Sequence, residues 1–402
     1  MMRILIFVLG LCMVLVYQFS SRDKKQHAFT LCATCPPGFE LTNDNRCVLR
    51  NLYQQYESGT GDDTGVGGLK TALTSARDGF TPQQIDLGRY LFFDPVLSKD
   101  GSVSCATCHN PEKGFSDGLK TSVGIGQKKL KRGAPSLWNV AFLKKFFWDA
   151  RATSLEQQME GPLYAENEMG TTRELLLQLL NQIPAYQNLF DQAFPARESG
   201  SIELAEIYTA IAAFESSLIS LNSRYDQYAH GYHKALNHYE IEGLNIFRSF
   251  VARCAECHTP PLFTNQQLAV IGVSEPDGGP LDPGAEKTYH DETLRAAFKV
   301  PSLRNVARTA PYTHAGRFDT MREMVEFYTK GRGHEVPLDE RLRIHWHIGK
   351  PQLSQYEMDR LVDFLKTLTD ESFMPRIPEK LPSGIEIPQV ASVQISSRIQ
   401  KP

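Results

Sequence analysis

Two short motifs in this chain could do chemistry that the rest cannot. Cys105-Ala-Thr-Cys108-His109 and Cys254-Ala-Glu-Cys257-His258 each place two thiols three positions apart, with an imidazole directly after the second. On one helical turn such thiols can add to the two vinyl groups of one porphyrin. The histidine then reaches the iron as its proximal ligand. Cys-x-x-Cys spacing also serves redox pairs and zinc sites. A zinc site would want a second cysteine pair near the first, and these motifs lie far apart in the chain. A redox pair has no use for a histidine at both places. The motifs therefore predict two covalent c-type haems, attached at Cys105, Cys108, Cys254 and Cys257, with His109 and His258 on the irons.

The other cysteines sort differently. The chain has 8 in all. Cys12 lies in an apolar run, Ile4 to Tyr17, that follows Arg3 and is too short to span a membrane comfortably. Residues 1–20 read as a signal peptide, or alternatively as an uncleaved N-terminal anchor; both place the body outside the cytoplasm. Cys32, Cys35 and Cys47 read as a small disulfide-stapled loop in an oxidising compartment, with one thiol left over. Cys32-Ala-Thr-Cys35 copies the haem spacing but ends in Pro36, which offers the iron nothing. A net charge of −3, with 22% charged and 41% hydrophobic residues, describes a globular body and gives no sign of a nucleic-acid partner.

The motifs need elements to hold them. Thr81-Pro82 opens a helix that runs to about Phe93. Thr171-Thr-Arg-Glu174 is a capping box before the apolar run Leu175 to Ile183. Leu204, Ile207, Ile211, Phe214 and Leu218 recur at helical spacing within Ile202 to Leu221. A polar stretch, Asn222 to Asn237, separates that helix from the next, Ile241 to Val251, and the second motif follows at once. Ser354-Gln-Tyr-Glu357 caps a last helix through Leu368. Strands are scarce. The order helix, motif, long loops, helix occurs twice, which predicts an all-α chain of two tandem cytochrome c-like domains. Their bounds are 79–235 and 236–372, after an N-terminal extension and linker over 21–78 and before a tail over 373–402.

From about residue 80 to 370 the chain resembles the bacterial di-haem cytochrome c peroxidase / MauG family. The resemblance rests on Leu87-Gly-Arg-Tyr-Leu-Phe-Phe-Asp94, Gly133-Ala-Pro-Ser-Leu-Trp-Asn-Val-Ala141, and Phe147-Trp-Asp-Ala-Arg-Ala-Thr-Ser-Leu-Glu-Gln-Gln158. Gly161-Pro162, Glu168-Met169, Phe298-Lys-Val-Pro-Ser-Leu-Arg-Asn-Val306 and Thr309-Ala-Pro-Tyr-Thr-His314-Ala-Gly316 complete it. It implies a peroxide site at the first haem and an electron relay at the second. Trp148 would lie between them. Glu168 would move the proton of bound peroxide, Gln158 would orient the peroxide, and Pro162 would shape the pocket. Core filling or a solvated face is the ordinary reading of each residue alone; the joint spacing of 148, 158 and 168 favours the functional one.

Two departures point to the MauG-like branch. Peroxidases of the family carry a histidine in the loop after the first motif; counting back from Pro135 puts Ile125 there, and no histidine lies between His109 and His230. The first iron is then expected to be five-coordinate at rest. Peroxidases also place a methionine fourteen positions after the histidine matched by His314, where this chain has Tyr328. A phenolate ligand favours oxidised iron more than a thioether does. The alternative is that Tyr328 packs in the core and Met321 or Met324 ligates.

The family also holds a calcium ion through two carbonyls and an Asn side chain. Thr309 and Pro311 match the carbonyl donors, but Gly133 stands at the Asn position. His314 is expected to meet a propionate or the backbone. The expectation is thus an exported, periplasmic, MauG-like peroxidase that uses hydrogen peroxide to oxidise a protein donor or side chain through a high-valent di-haem state. Its rivals are a conventional peroxidase fed by a small cytochrome and a non-enzymatic di-haem carrier.

Overall fold

Capping chemistry sets where the helices begin. Thr81 accepts from Gln84 N–H at 3.1 Å while the Gln84 side chain accepts from Thr81 N–H at 3.0 Å, and Pro82 needs no donor partner at the first helical position. The computed structural model describes residues 29–50, 73–197, 200–330, 339, 341–349 and 351–388. The apolar run with Cys12, most of the linker and the end of the tail lie outside the described residues. Met1–Thr30 is one unit, of which only Phe29 and Thr30 are described; the rest of the chain is another.

Twelve α-helices are described: α1 (Pro82–Phe93), α2 (Cys105–Cys108), α3 (Leu155–Tyr164), α4 (Arg173–Gln182), α5 (Pro184–Ala193), α6 (Leu204–Ser216), α7 (Arg224–Ala229), α8 (His238–Phe247), α9 (Cys254–Cys257), α10 (Glu286–Tyr289), α11 (Met321–Lys330) and α12 (Gln355–Lys366). Strand is confined to two antiparallel pairs among the described residues. One is β1 (Phe39–Leu41) with β2 (Cys47–Leu49); the other is β3 (Leu268–Val270) with β4 (Ala297–Lys299).

One arrangement occurs twice. Helix α1 crosses α6 so closely that a Cβ on Gly88 would lie 1.8 Å from the Ala210 carbonyl oxygen. Helix α8 crosses α12 in the same way, with Gly243 against the Arg360 carbonyl at 2.0 Å. Four residues past each glycine a phenylalanine meets another: Phe92 with Phe214 at 5.0 Å, and Phe247 with Phe364 at 5.1 Å. Pro135-Ser-Leu-Trp-Asn139-Val-Ala141 and Pro301-Ser-Leu-Arg-Asn305-Val-Ala307 then repeat one another. Asn139 N–H donates to the Leu218 carbonyl and Asn305 N–H to the Leu368 carbonyl, at 2.8 and 3.0 Å.

Several sequence-based bounds move. Helix α4 is capped by Thr172, whose hydroxyl accepts from Leu175 N–H, not by Thr171. The helix expected over Ile202 to Leu221 stops at Ser216, and the one expected to reach Val251 stops at Phe247. The polar stretch Asn222 to Asn237 is no spacer. Tyr225, Tyr228 and Ala229 of α7 join the second core with Leu244, Phe263 and Phe364, and fully buried Asp226 pairs bidentately with fully buried Arg304. Cys35 and Cys47 are disulfide-bonded, which leaves Cys32 free and exposed. That bond removes Cys35 from any third haem site.

Candidate functional site

Each Cys-x-x-Cys turn floors its own cavity. The first, of about 1080 Å³, is lined by Cys105, Cys108 and His109 together with Trp148, Gln158, Pro162 and Glu168. The second, of about 630 Å³, is lined by Cys254, Cys257 and His258 with Trp148, Met321, Met324 and Tyr328. Trp148, Lys299 and the strand of chain from Gly133 to Ser136 line both, so they form the wall between them.

The cysteines and histidines suit a porphyrin. None of the four motif thiols is disulfide-bonded. Burial pushes Cys108 and Cys254 up to about 12 and raises Cys105 and Cys257. A redox pair needs a depressed thiol, so these four fit thioether attachment better. His109 Nδ1 lies 2.9 Å from the Phe115 carbonyl. His258 Nδ1 lies 3.1 Å from the carbonyls of both Phe263 and Pro301. A carbonyl only accepts, so Nδ1 carries the proton and Nε2 keeps its lone pair for a metal. Burial lowers both imidazoles, His258 to about 4, which keeps them neutral as ligands must be.

Helix α3 presents the other side of the first cavity. Ser154 caps it through Gln157 N–H at 3.2 Å. Pro162 inside it has no N–H for the Gln158 carbonyl. Gln158 lines the cavity, and no hydrogen bond holds its carboxamide among the described residues. Glu168 follows on the turn after α3. Burial raises its carboxyl, offset in part by the charge of Arg151. The loop over Ser122–Gln127 closes against that turn: Ile125 N–H donates to the Glu168 carbonyl at 2.9 Å. The Ile125 side chain lies against Gly170, and Ile125 does not line the cavity. His109 is the one histidine that does, among the described residues.

Trp148 is fixed at both ends. Its indole N–H donates to the Gly133 carbonyl at 2.9 Å, and its carbonyl accepts from Lys299 N–H at 2.7 Å. Phe147 and Ala150 around it have φ of 64° and 58°, a left-handed conformation that non-glycine residues hold only under tertiary constraint. In the second cavity, burial raises the Tyr328 phenol, with Cys257 and Cys254 adding to the effect.

The donor set does not fit the expected calcium ion. Thr309 and Pro311 do line the wall of the second cavity. Gly133, however, offers no side-chain oxygen; its carbonyl already accepts from Trp148, and its N–H donates to the His314 carbonyl at 2.8 Å. Next to it Arg132 supplies positive charge, donating to Asp282 and Asp149 at 2.8 Å. No group of three or more His, Cys, Asp or Glu among the described residues is set to hold a metal. His314 Nε2 meets the Glu275 carboxylate at 2.9 Å, and its ring stacks on Phe298 at 3.9 Å.

Two lining residues escaped the sequence reading. Lys299 touches both cavities, and burial brings its amine down to about 8. Glu215 lines the first. The available signal was a charged residue inside an otherwise apolar periodic or strand segment.

A helical chain with two cavities, each floored by a Cys-x-x-Cys-His turn and separated by one tryptophan, is a two-cofactor redox protein. Residues 82–234 match the family described as di-haem cytochrome c peroxidase. The methylamine utilization protein MauG of Methylorubrum extorquens is 36% identical over 77% of this chain and 82% of its own. The cytochrome c551 peroxidase of Nitrosomonas europaea is 34% identical, over 77% and 87%. Among solved structures, a MauG-like protein associated with microbial copper homeostasis is similar, with a TM-score of 0.67, 31% identity and coverage of 73% of this chain and 91% of that one. The diheme peroxidase BthA of Burkholderia thailandensis has a TM-score of 0.65 at 26% identity, over 78% and 95%. The chain belongs to the di-haem cytochrome c peroxidase family that includes MauG, and is a hydrogen-peroxide-dependent haem oxidoreductase. That membership sets aside the non-enzymatic carrier.

Proposed function

We propose that this chain is a MauG-like di-haem c-type peroxidase of the periplasm, using hydrogen peroxide to oxidise a protein. The protein is either an electron donor or one whose Trp or Tyr side chain is being modified. In this reading Cys105, Cys108 and His109 would hold the haem that meets peroxide, and Cys254, Cys257, His258 and Tyr328 would hold the second. When bound, the haem pair would supply the redox chemistry of peroxide reduction. Glu168 takes the proton of the incoming peroxide and returns it to the departing oxygen. Gln158 orients the peroxide, Pro162 shapes the pocket, and Trp148 carries charge across the shared wall.

One observation carries the reading: Ile125 is turned onto Gly170, and His109 is the one histidine lining the first cavity among the described residues. A site with no second histidine accepts peroxide without a prior reduction step. The repeated helix crossings support two cytochrome c-like domains, with α7 belonging to the second core although the sequence placed the bound at 235. The Cys35–Cys47 disulfide supports an oxidising compartment, as does residues 1–20 read as a signal peptide or anchor. Among the described residues no helix is long and apolar enough to cross a membrane.

A conventional peroxidase has one observation in its favour, since Met321 and Met324 also line the second cavity. Electron paramagnetic resonance of the resting ferric protein and stopped-flow mixing with stoichiometric peroxide separate the two. The MauG-like reading requires one high-spin haem and an immediate reaction of the unreduced protein. No reaction until one haem is reduced would establish the conventional peroxidase instead.

A further inference from the structure

Reducing hydrogen peroxide to two waters consumes two electrons and two protons. A protein donor brings the electrons, but both protons must reach a buried cavity through the chain. Glu168 is one carboxyl there. Glu215 is a second, and the reading above leaves it without a task.

Glu215 stands on α6 one turn after Ile211, and both side chains line the first cavity. It is 5% exposed. Its Oε2 is buried with no hydrogen-bond partner among the described residues, an arrangement that costs a carboxylate far more than a carboxylic acid. Both carboxyls line the same cavity as the Cys105–Cys108 turn. The charged groups facing Glu215 are Glu156 and Arg77. These two pair with each other on α3 and the chain before α1, and both reach solvent, with side chains 29% and 36% exposed. The Glu156–Arg77 pair therefore both acts on the buried acid and reaches solvent. Burial, with the Glu156 charge adding to it, pushes Glu215 up to about 8.

We propose that Glu215 is a second proton-holding carboxyl of the peroxide site, loaded from solvent past Glu156 and Arg77 and discharged into the first cavity as electrons refill the protein. The inference rests on the first cavity being the peroxide site. Its balance is one proton released by the Glu215 carboxylic acid for one electron entering, followed by reprotonation of the carboxylate from solvent. The oxidant is peroxide and the reductant is the protein donor, or a small electron donor in the assay.

The test uses the full haem-loaded protein. Infrared spectroscopy in H2O and D2O should show a carboxylic-acid C=O stretch at pH 7 that shifts with deuteration, fades as pH passes about 8, and is missing in Glu215→Gln. After peroxide, refilling by a small electron donor should slow about tenfold or more in Glu215→Gln and lose its pH dependence, with partial recovery in Glu215→Asp. A band retained in Glu215→Gln, or refilling that keeps its rate and pH profile, overturns the proposal. If Glu215→Gln fails to fold, the wild-type band decides: no carboxylic-acid stretch at pH 7 refutes it. Failure of the peroxide-site reading looks different, because Glu168→Gln would then leave the initial reaction with peroxide unchanged.

Discussion

Replacing Gly243 by alanine sets two effects against each other. In a helix interior alanine is favoured over glycine by about 1 kcal/mol, so an open site on α8 would gain stability. Gly243 is not open. The new Cβ would lie 2.0 Å from the Arg360 carbonyl oxygen, 2.7 Å from its carbon and 2.8 Å from Phe364 Cβ, where carbon contacts are comfortable at about 3.5–4.0 Å. The atoms in the way are mostly backbone, so no side chain can swing aside, and α8 must lift off α12. That strips contact from the Phe247–Phe364 pair. Overpacking costs about 1–3 kcal/mol, occasionally more, and a backbone clash belongs at the upper end. The net loss should be about 2 kcal/mol or more, lowering Tm by roughly 4–8 °C at 2–4 °C per kcal/mol. Denaturant titration of the haem-loaded protein, followed by circular dichroism, measures it. A midpoint that holds or rises would show that the two helices are not locked at this crossing, and the reasoning would fall with it.

Four further outcomes follow from the site. Glu168→Gln should slow the first reaction with peroxide about 10²–10⁴-fold. The wild-type rate should rise with pH through a carboxyl titrating above its ordinary value, because the base form takes the proton and burial raises Glu168; the variant should lose that limb, and an equal pH profile in stopped-flow would count against Glu168. Asp226→Ala takes the paired carboxylate away from the fully buried Arg304 guanidinium and should cost about 3–5 kcal/mol in a denaturant titration; a loss under 1 kcal/mol would contradict a sealed pair. Tyr328→Phe should change the ligand-sensitive spectrum of the second haem, whereas Met321→Leu and Met324→Leu should not; the reverse pattern would assign a methionine. Treatment with EGTA should leave Tm and both haem spectra unchanged, and a drop in either would mean that a calcium ion is held after all.

Much of the site was legible because its chemistry is local. Cys105 to His109 and Cys254 to His258 are contiguous, and Thr81 with Gln84 or Ser354 with Glu357 declare helix starts within four residues. What escaped depends on partners distant in the chain. Asp226 looks like a surface residue in a polar stretch until Arg304 arrives from the far side of the second motif. Arg132 gains its meaning from Asp149 and Asp282, the carboxylates it pairs with beside Gly133. Glu215 sits in a helix whose apolar period was plain, yet period does not say that one of its buried positions faces a cavity. The repeat of Pro135–Ala141 in Pro301–Ala307 was readable in the letters. Its significance, two asparagines with left-handed backbones each donating to the end of a partner helix, required coordinates.

The wall between the cavities has a consequence for how such a protein can change over time. Trp148, Lys299 and the Gly133–Ser136 segment each serve two compartments. A substitution that enlarged one chamber at Trp148 would reshape the other in the same step, and losing the indole would release the Gly133 carbonyl between them. Residues that line one cavity and not the other, such as Gln158 in the first and Tyr328 in the second, can change without reshaping both. The partition changes as one piece, so an alteration confined to one compartment has to come from its far side.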